Sequence, residues 1–134
     1  YSASVAGVGV DLQVTTAQST GADGTETLTL VEALIGTSHA DRLSGSADGN
    51  TLVGGAGDDL LFGRDGDDLL IGGSGADELS GGGGQDRFVL TDVTEADVIG
   101  SGAGADVIDI LFPVTPLTGP GRVIVTDFTT GAGG

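Results

Sequence analysis

Cysteine, methionine, tryptophan and lysine are all missing from these 134 residues. Without cysteine there is neither a disulfide framework nor a thiolate metal site, so something else must hold the fold together. Without lysine, four Arg face sixteen Asp and four Glu, and the formal net charge is -16. A chain so acidic offers no basic face to nucleic acid or to an anionic membrane surface. Aromatic residues make up only 4%, and the 38% apolar content is mostly Val, Leu, Ile and Ala, which suits thin aliphatic layers better than a thick centre. No run of about 18 apolar residues and no basic, then apolar, amino terminus occurs, so neither a spanning helix nor a signal peptide is expected. The sequence begins at Tyr1 and stops at Gly133-Gly134 within a glycine-rich phrase, and is expected to be an internal piece of a longer protein.

What is present is a period. From Gly36 to Val89 the chain repeats every nine residues, as GTSHADRLS, GSADGNTLV, GGAGDDLLF, GRDGDDLLI, GGSGADELS and GGGGQDRFV. Each copy opens on glycine. The sixth position holds Asp41, Asn50, Asp59, Asp68, Asp77 and Asp86, and the eighth holds Leu43, Leu52, Leu61, Leu70, Leu79 and Phe88. Fifteen glycines in this stretch rule out helix, since each costs a helix interior about 0.5–1 kcal/mol. A loop followed by a short strand over residues seven to nine fits the spacing, with the eighth side chain facing inward and an all-β fold as the result. Glycines at positions one, two and four suit a tight turn whose carbonyls point inward.

One loop and one strand make half a coil, so two copies complete it and each loop lies over the loop two copies earlier. That stacking places Asp41 by Asp59 and Asp59 by Asp77 along one edge, and Asn50 by Asp68 and Asp68 by Asp86 along the other. Carboxylates about 4.8 Å apart repel unless a cation lies between them. Calcium suits the demand, taking six to eight oxygens, carbonyls included, in irregular geometry where magnesium insists on a tighter octahedron. Four inter-loop pairs give about three to four ions. The carbonyls of Gly57, Gly66, Gly75 and Gly84, at position four, are the expected main-chain ligands.

Gly54 to Phe62, Gly72 to Ser80 and Gly81 to Val89 match the pattern G-G-x-G-x-D-x-U-x at every specified position. In this the chain resembles the RTX, or haemolysin-type calcium-binding, family of secreted bacterial proteins. The resemblance implies a right-handed parallel β-roll that binds calcium, is exported unfolded and folds outside the cell or on its surface. It implies a non-catalytic part of a larger protein, either a surface layer, filament or adhesin, or the accessory region of a secreted protease, lipase or polysaccharide-modifying enzyme. Its partners are calcium ions, the rest of the parent chain and like repeats in an assembly. Thr37, His39, Ser46, Asp48 and Arg64 depart from the family's glycines, and the neutral Asn50 is expected to weaken its site.

The flanks divide the chain into residues 1–35, 36–89 and 90–134. Alternation at Val8, Val10, Leu12 and Val14, and again from Thr25 to Val31, predicts two amino-terminal capping strands. Ala96-Asp97-Val98-Ile99 recurs as Ala105-Asp106-Val107-Ile108, which predicts degenerate coils after Val89. Three prolines then predict a loop from Phe112 to Gly121, followed by a strand from Arg122 to Phe128. Rival chemistries fare poorly. Asp65-Gly66-Asp67-Asp68 lacks the glutamate an EF-hand needs, Gly102-Ala103-Gly104 lacks the third glycine of a dinucleotide turn, and a lone His39 supports neither triad nor zinc. Asp58-Asp59 and Asp67-Asp68 recur as a ladder, where a glycosidase needs a single pair. Arg42, Arg64 and Arg87 read as surface counter-charges.

Overall fold

The computed structural model describes residues 6–14, 18–19, 25–26, 28–91, 95–111 and 122–126. Among them every regular element is a strand, arranged as two parallel sheets that face each other across one aliphatic core. In chain order the strands that build the roll are β1 (Gly9–Asp11), β4 (Ala33–Ile35), β5 (Arg42–Ser44), β6 (Thr51–Ala56), β7 (Leu60–Asp65), β8 (Leu69–Ser74), β9 (Glu78–Gly83), β10 (Arg87–Leu90), β11 (Ala96–Ala103), β12 (Val107–Ile110) and β13 (Arg122–Val125). A short hairpin, β2 (Gln18–Ser19) against β3 (Thr25–Glu26), stands apart as the one antiparallel pair among them.

The nine-residue period sends alternate copies to opposite sheets. One sheet runs β1-β5-β7-β9-β11-β13 and the other β12-β10-β8-β6-β4. Register follows the expected step of two copies: Leu43 pairs with Leu61 and Leu61 with Leu79, while Leu52 pairs with Leu70 and Leu70 with Phe88. The result is a ladder of identical positions, so the core is two columns of eighth-position side chains, all fully buried. Each such leucine contributes about 1.5–3 kcal/mol of burial, which is how a chain with so few aromatics assembles a core.

Strands are longer than the three residues expected. β6 to β9 each span six, because pairing continues through the glycines that open the next copy, as in Gly55 with Gly73 and Ala56 with Ser74. The first glycine of a copy is therefore a strand residue on the inner face. A Cβ at Gly54 would collide with the Asp59 carboxylate and the Gly72 carbonyl, so this glycine is required by close approach rather than by an unusual φ.

Of the two amino-terminal strands expected, the first is β1, with Val8, Val10 and Leu12 buried at alternate places and β1 lying beside β5. The second is corrected. Among the described residues of that stretch the strand is Thr25–Glu26 alone, residues 28–31 lie in no strand, Leu30 is fully exposed at φ 56°, and β4 takes the place beneath β6. Phase explains the outcome, since Leu34 stands nine residues before Leu43 and so falls on the inward eighth position, whereas Leu28 and Leu30 do not. Beyond Val89 the coils continue as β11 and β12, but the step becomes twenty: Leu79 pairs with Ile99 and Phe88 with Ile108. Two extra residues enter between Leu90 and Asp97. The strand expected from Arg122 is β13, ending at Val125. The loop expected over 112–121 and the strand's last residues, 127–128, lie outside the described residues.

Candidate metal centre

The stacking that aligns the leucines also aligns the sixth positions. Asp41, Asp59 and Asp77 fall in one row and Asn50, Asp68 and Asp86 in the other, each at most 4% exposed. Two further acids extend the rows, Asp97 above Asp77 and Asp106 above Asp86. Sequence reasoning noticed their nine-residue recurrence but not their place in the rows, because the two-residue insertion hides the phase.

Bare carboxylates facing one another were expected, and the structure corrects that picture. One oxygen of each acid is occupied by main chain: Asp59 Oδ1 accepts the Asp41 N–H at 2.8 Å, Asp77 Oδ1 that of Asp59 at 3.0 Å and Asp97 Oδ1 that of Asp77 at 3.0 Å. The other row repeats the device, with Asn50, Asp68 and Asp86 donating to Asp68, Asp86 and Asp106 at 2.7, 3.0 and 3.0 Å. Each acid thus ties its coil to the coil before it. A second, outer ladder runs through position five, where exposed Asp58 and Asp67 accept the N–H groups of Ala76 and Gln85.

The remaining inner oxygens are the unusual feature. Asp59, Asp68 and Asp86 each keep Oδ2 buried with no hydrogen-bond partner. An unsatisfied buried charge costs several kcal/mol unless it is neutralised. Accordingly, burial pushes the Asp59 carboxyl up to about 7, opposed by the Asp41 N–H and reinforced by the neighbouring charges of Asp77, Asp41 and Asp58. Burial likewise raises Asp68 to about 6, against the Asn50 N–H and with Asp86, Asp67 and Asp65 adding to the rise. Asp86 moves in the same direction, chiefly by burial, with Asp106 and Asp67 contributing.

The first coil is built otherwise. Asp41 Oδ1 accepts the Val8 N–H at 2.6 Å, Oδ2 accepts the Thr37 N–H at 2.5 Å, and the Thr37 hydroxyl stands 3.1 Å from both oxygens. Asn50 Oδ1 accepts the Ser46 N–H at 2.6 Å, which leaves its Nδ2 buried and unpartnered. Gly57, Gly66, Gly75 and Gly84 all lie at positive φ, between 104° and 131°. Gly57 and Gly66 aim their carbonyls at Gly75 and Gly84 in the coil above, where a Cβ would collide, so these loops stack at a distance only glycine permits.

Among the described residues no three His, Cys, Asp or Glu side chains converge on one point. A soft or tetrahedral site needs such convergence. Rows of single carboxylates interleaved with main-chain oxygens suit a hard ion of high coordination number, and the orphaned Oδ2 atoms are where its charge is wanted. Calcium fits this donor set. Asp58 is exposed and Asp59 buried, so adjacent acids face opposite sides and do not form a glycosidase pair. His39 is exposed in its loop. Arg42 covers the Phe62 ring at 4.7 Å and Arg87 pairs with Asp109, while Arg64 does more than balance charge. It holds φ at 88° and clamps Asp11 of β1 through its two terminal guanidinium nitrogens at 2.8 and 2.6 Å.

No curated protein matches the chain. The family model for the RTX calcium-binding nonapeptide repeat, in four copies, matches residues 35–70 and 62–91. Residues 35–91 are therefore an array of RTX calcium-binding nonapeptide repeats, and the chain carries a calcium-binding repeat module of that family.

Proposed function

We propose that the sixth-position carboxylates from Asp59 to Asp86 take up calcium and that the roll folds as they do so, which makes the chain a structural module of a secreted or cell-surface protein. The observation that carries this reading is the set of buried, unpartnered Oδ2 atoms on Asp59, Asp68 and Asp86. Such atoms are costly in a stack without metal and become ligands in a stack with it. Asp77, in the same register, joins them, with carbonyls of the positive-φ loops at Gly57, Gly66, Gly75 and Gly84 completing each shell. Calcium supplies the positive charge that offsets the -7 of residues 36–89. Each site draws on two coils, so it does not exist in the unfolded chain, and binding free energy is folding free energy.

Location follows from concentration. A repeat chain of net charge -16 stays expanded where calcium is scarce and collapses at the 10⁻⁴–10⁻³ M range of extracellular calcium modules. The role is architectural rather than catalytic. Far-ultraviolet circular dichroism of the whole chain checks the reading: calcium brings a β-type spectrum and chelator abolishes it. A spectrum indifferent to both defeats the proposal.

A further inference from the structure

We propose that the backbone conformation at the second residue of each copy decides whether its loop needs an ion, and that the first coil, residues 36–53, closes on its own hydroxyls and takes none. The inference rests on reading the rows as calcium sites. Second positions divide into two kinds. In the coils above, Gly55, Arg64, Gly73 and Gly82 have φ of 119°, 88°, 117° and 110°. In the first coil the same places hold Thr37 and Ser46, and neither has positive φ, since Leu30 and Arg64 are the only described non-glycine residues that do.

That difference reverses the direction of one peptide. With φ negative, the second residue's N–H points at the sixth side chain of its own copy, as Thr37 to Asp41 and Ser46 to Asn50 show. With φ positive, the N–H is turned away, and Oδ2 of Asp59, Asp68 and Asp86 is left bare. Conformation and not residue type is what matters, because Arg64 adopts the glycine-like φ and its partner Asp68 is bare.

The hydroxyls complete the exchange. Thr37 Oγ1 accepts the His39 N–H at 3.0 Å and so has its proton free for Asp41. Asp41 thereby holds the Val8 N–H, the Thr37 N–H and the Thr37 hydroxyl, so both of its buried oxygens have donors from the chain itself. In the partner loop, Asn50 Oδ1 stands against Gly45 where Asp68 and Asp86 hold their bare Oδ2 against Gly63 and Gly81, and it is already taken by the Ser46 N–H. The arrangement suits the end of a stack. Beneath the first coil lie β1 and β4 rather than another nonapeptide loop, so donors from Val8, Thr37 and Ser46 take the place of an ion there.

Counting bound calcium by equilibrium dialysis on the whole chain tests this. Asp41→Asn keeps the wild-type count, Asp59→Asn loses one ion, and Thr37→Gly, which frees the second position to adopt positive φ, gains one. Asn50 already shows that an amide is accommodated at the sixth position, so Asp41→Asn is expected to fold. Loss of an ion in Asp41→Asn overturns the inference, as does an unchanged count in Thr37→Gly. A wild-type chain that takes up no calcium defeats the calcium reading itself, and so the two failures are distinguishable.

Discussion

Leu43 and Leu61 occupy one column, pair directly and are equally buried, yet the loops that precede them are made differently. Below, Thr37 and Ser46 fold their own N–H and O–H groups onto the sixth side chain. Above, second residues at positive φ turn those donors away, and an oxygen of Asp59, Asp68 and Asp86 is left bare. The core is thus indifferent to position along the stack, while the loops are not. Apolar stacking gives the roll its shape, and the loops decide where that shape depends on an ion.

The largest effects test the shared core. In saturating calcium, Leu61→Ala and Leu43→Ala are each expected to lower the unfolding free energy by about 2–5 kcal/mol in a urea titration. The two values should agree within about 1 kcal/mol. A much smaller cost at Leu43 breaks the comparison, because it makes the first coil a loose appendage rather than a full member of the stack.

Next come the loop backbones. Gly55→Ala puts a Cβ on a residue at φ 119° and against the Thr37 carbonyl, so it is expected to cost more than the 1–2 kcal/mol of left-handed strain alone. Thr37→Ala keeps the N–H and loses only the hydroxyl, at about 1 kcal/mol. Thermal melts of both variants in calcium check the order, and a costlier Thr37→Ala reverses it.

Protons probe the bare oxygens of the upper loops. The raised values at Asp59 and Asp68 mean the folded, metal-free stack binds protons more tightly than the unfolded chain. Metal-free stability is therefore expected to rise as pH falls through 7 and 6 toward the ordinary carboxylate value. Protons and calcium compete for the same oxygens, so the calcium midpoint at pH 6 should lie above that at pH 8. A pH-independent midpoint contradicts the assignment of those oxygens to the ion. The smallest effect belongs to Arg64→Gly, which relieves a positive-φ arginine but loses the partly exposed clamp on Asp11, for a net change within about 1 kcal/mol by thermal melt.

Much of this was legible in the sequence because the repeat states it six times over. The inward eighth position, the alignment of sixth positions in two rows and the pairing of each copy with the copy after next all follow from period and residue type. Less legible was whatever depends on the direction of a single peptide. The N–H to Oδ1 ladder, the extension of strands through glycine and the self-closure by Thr37 leave no periodic trace. Asp97 and Asp106 escaped for a different reason, since a two-residue insertion breaks phase while preserving stacking. The stretch from Thr25 to Val31 misled because alternation alone does not say whether a strand falls in phase with the column it must join. Arg64 looked like a stray substitution at a glycine position until its distant partner, Asp11, was in view.

The most direct measurement is the position of calcium in crystals of the loaded chain, located by anomalous scattering. Peaks are predicted in the loops of Asp59, Asp68, Asp77 and Asp86, beside their buried carboxylates, with none beside Asp41 or Asn50. Bare loops at Asp59 and Asp68 in calcium-saturated crystals would contradict the account.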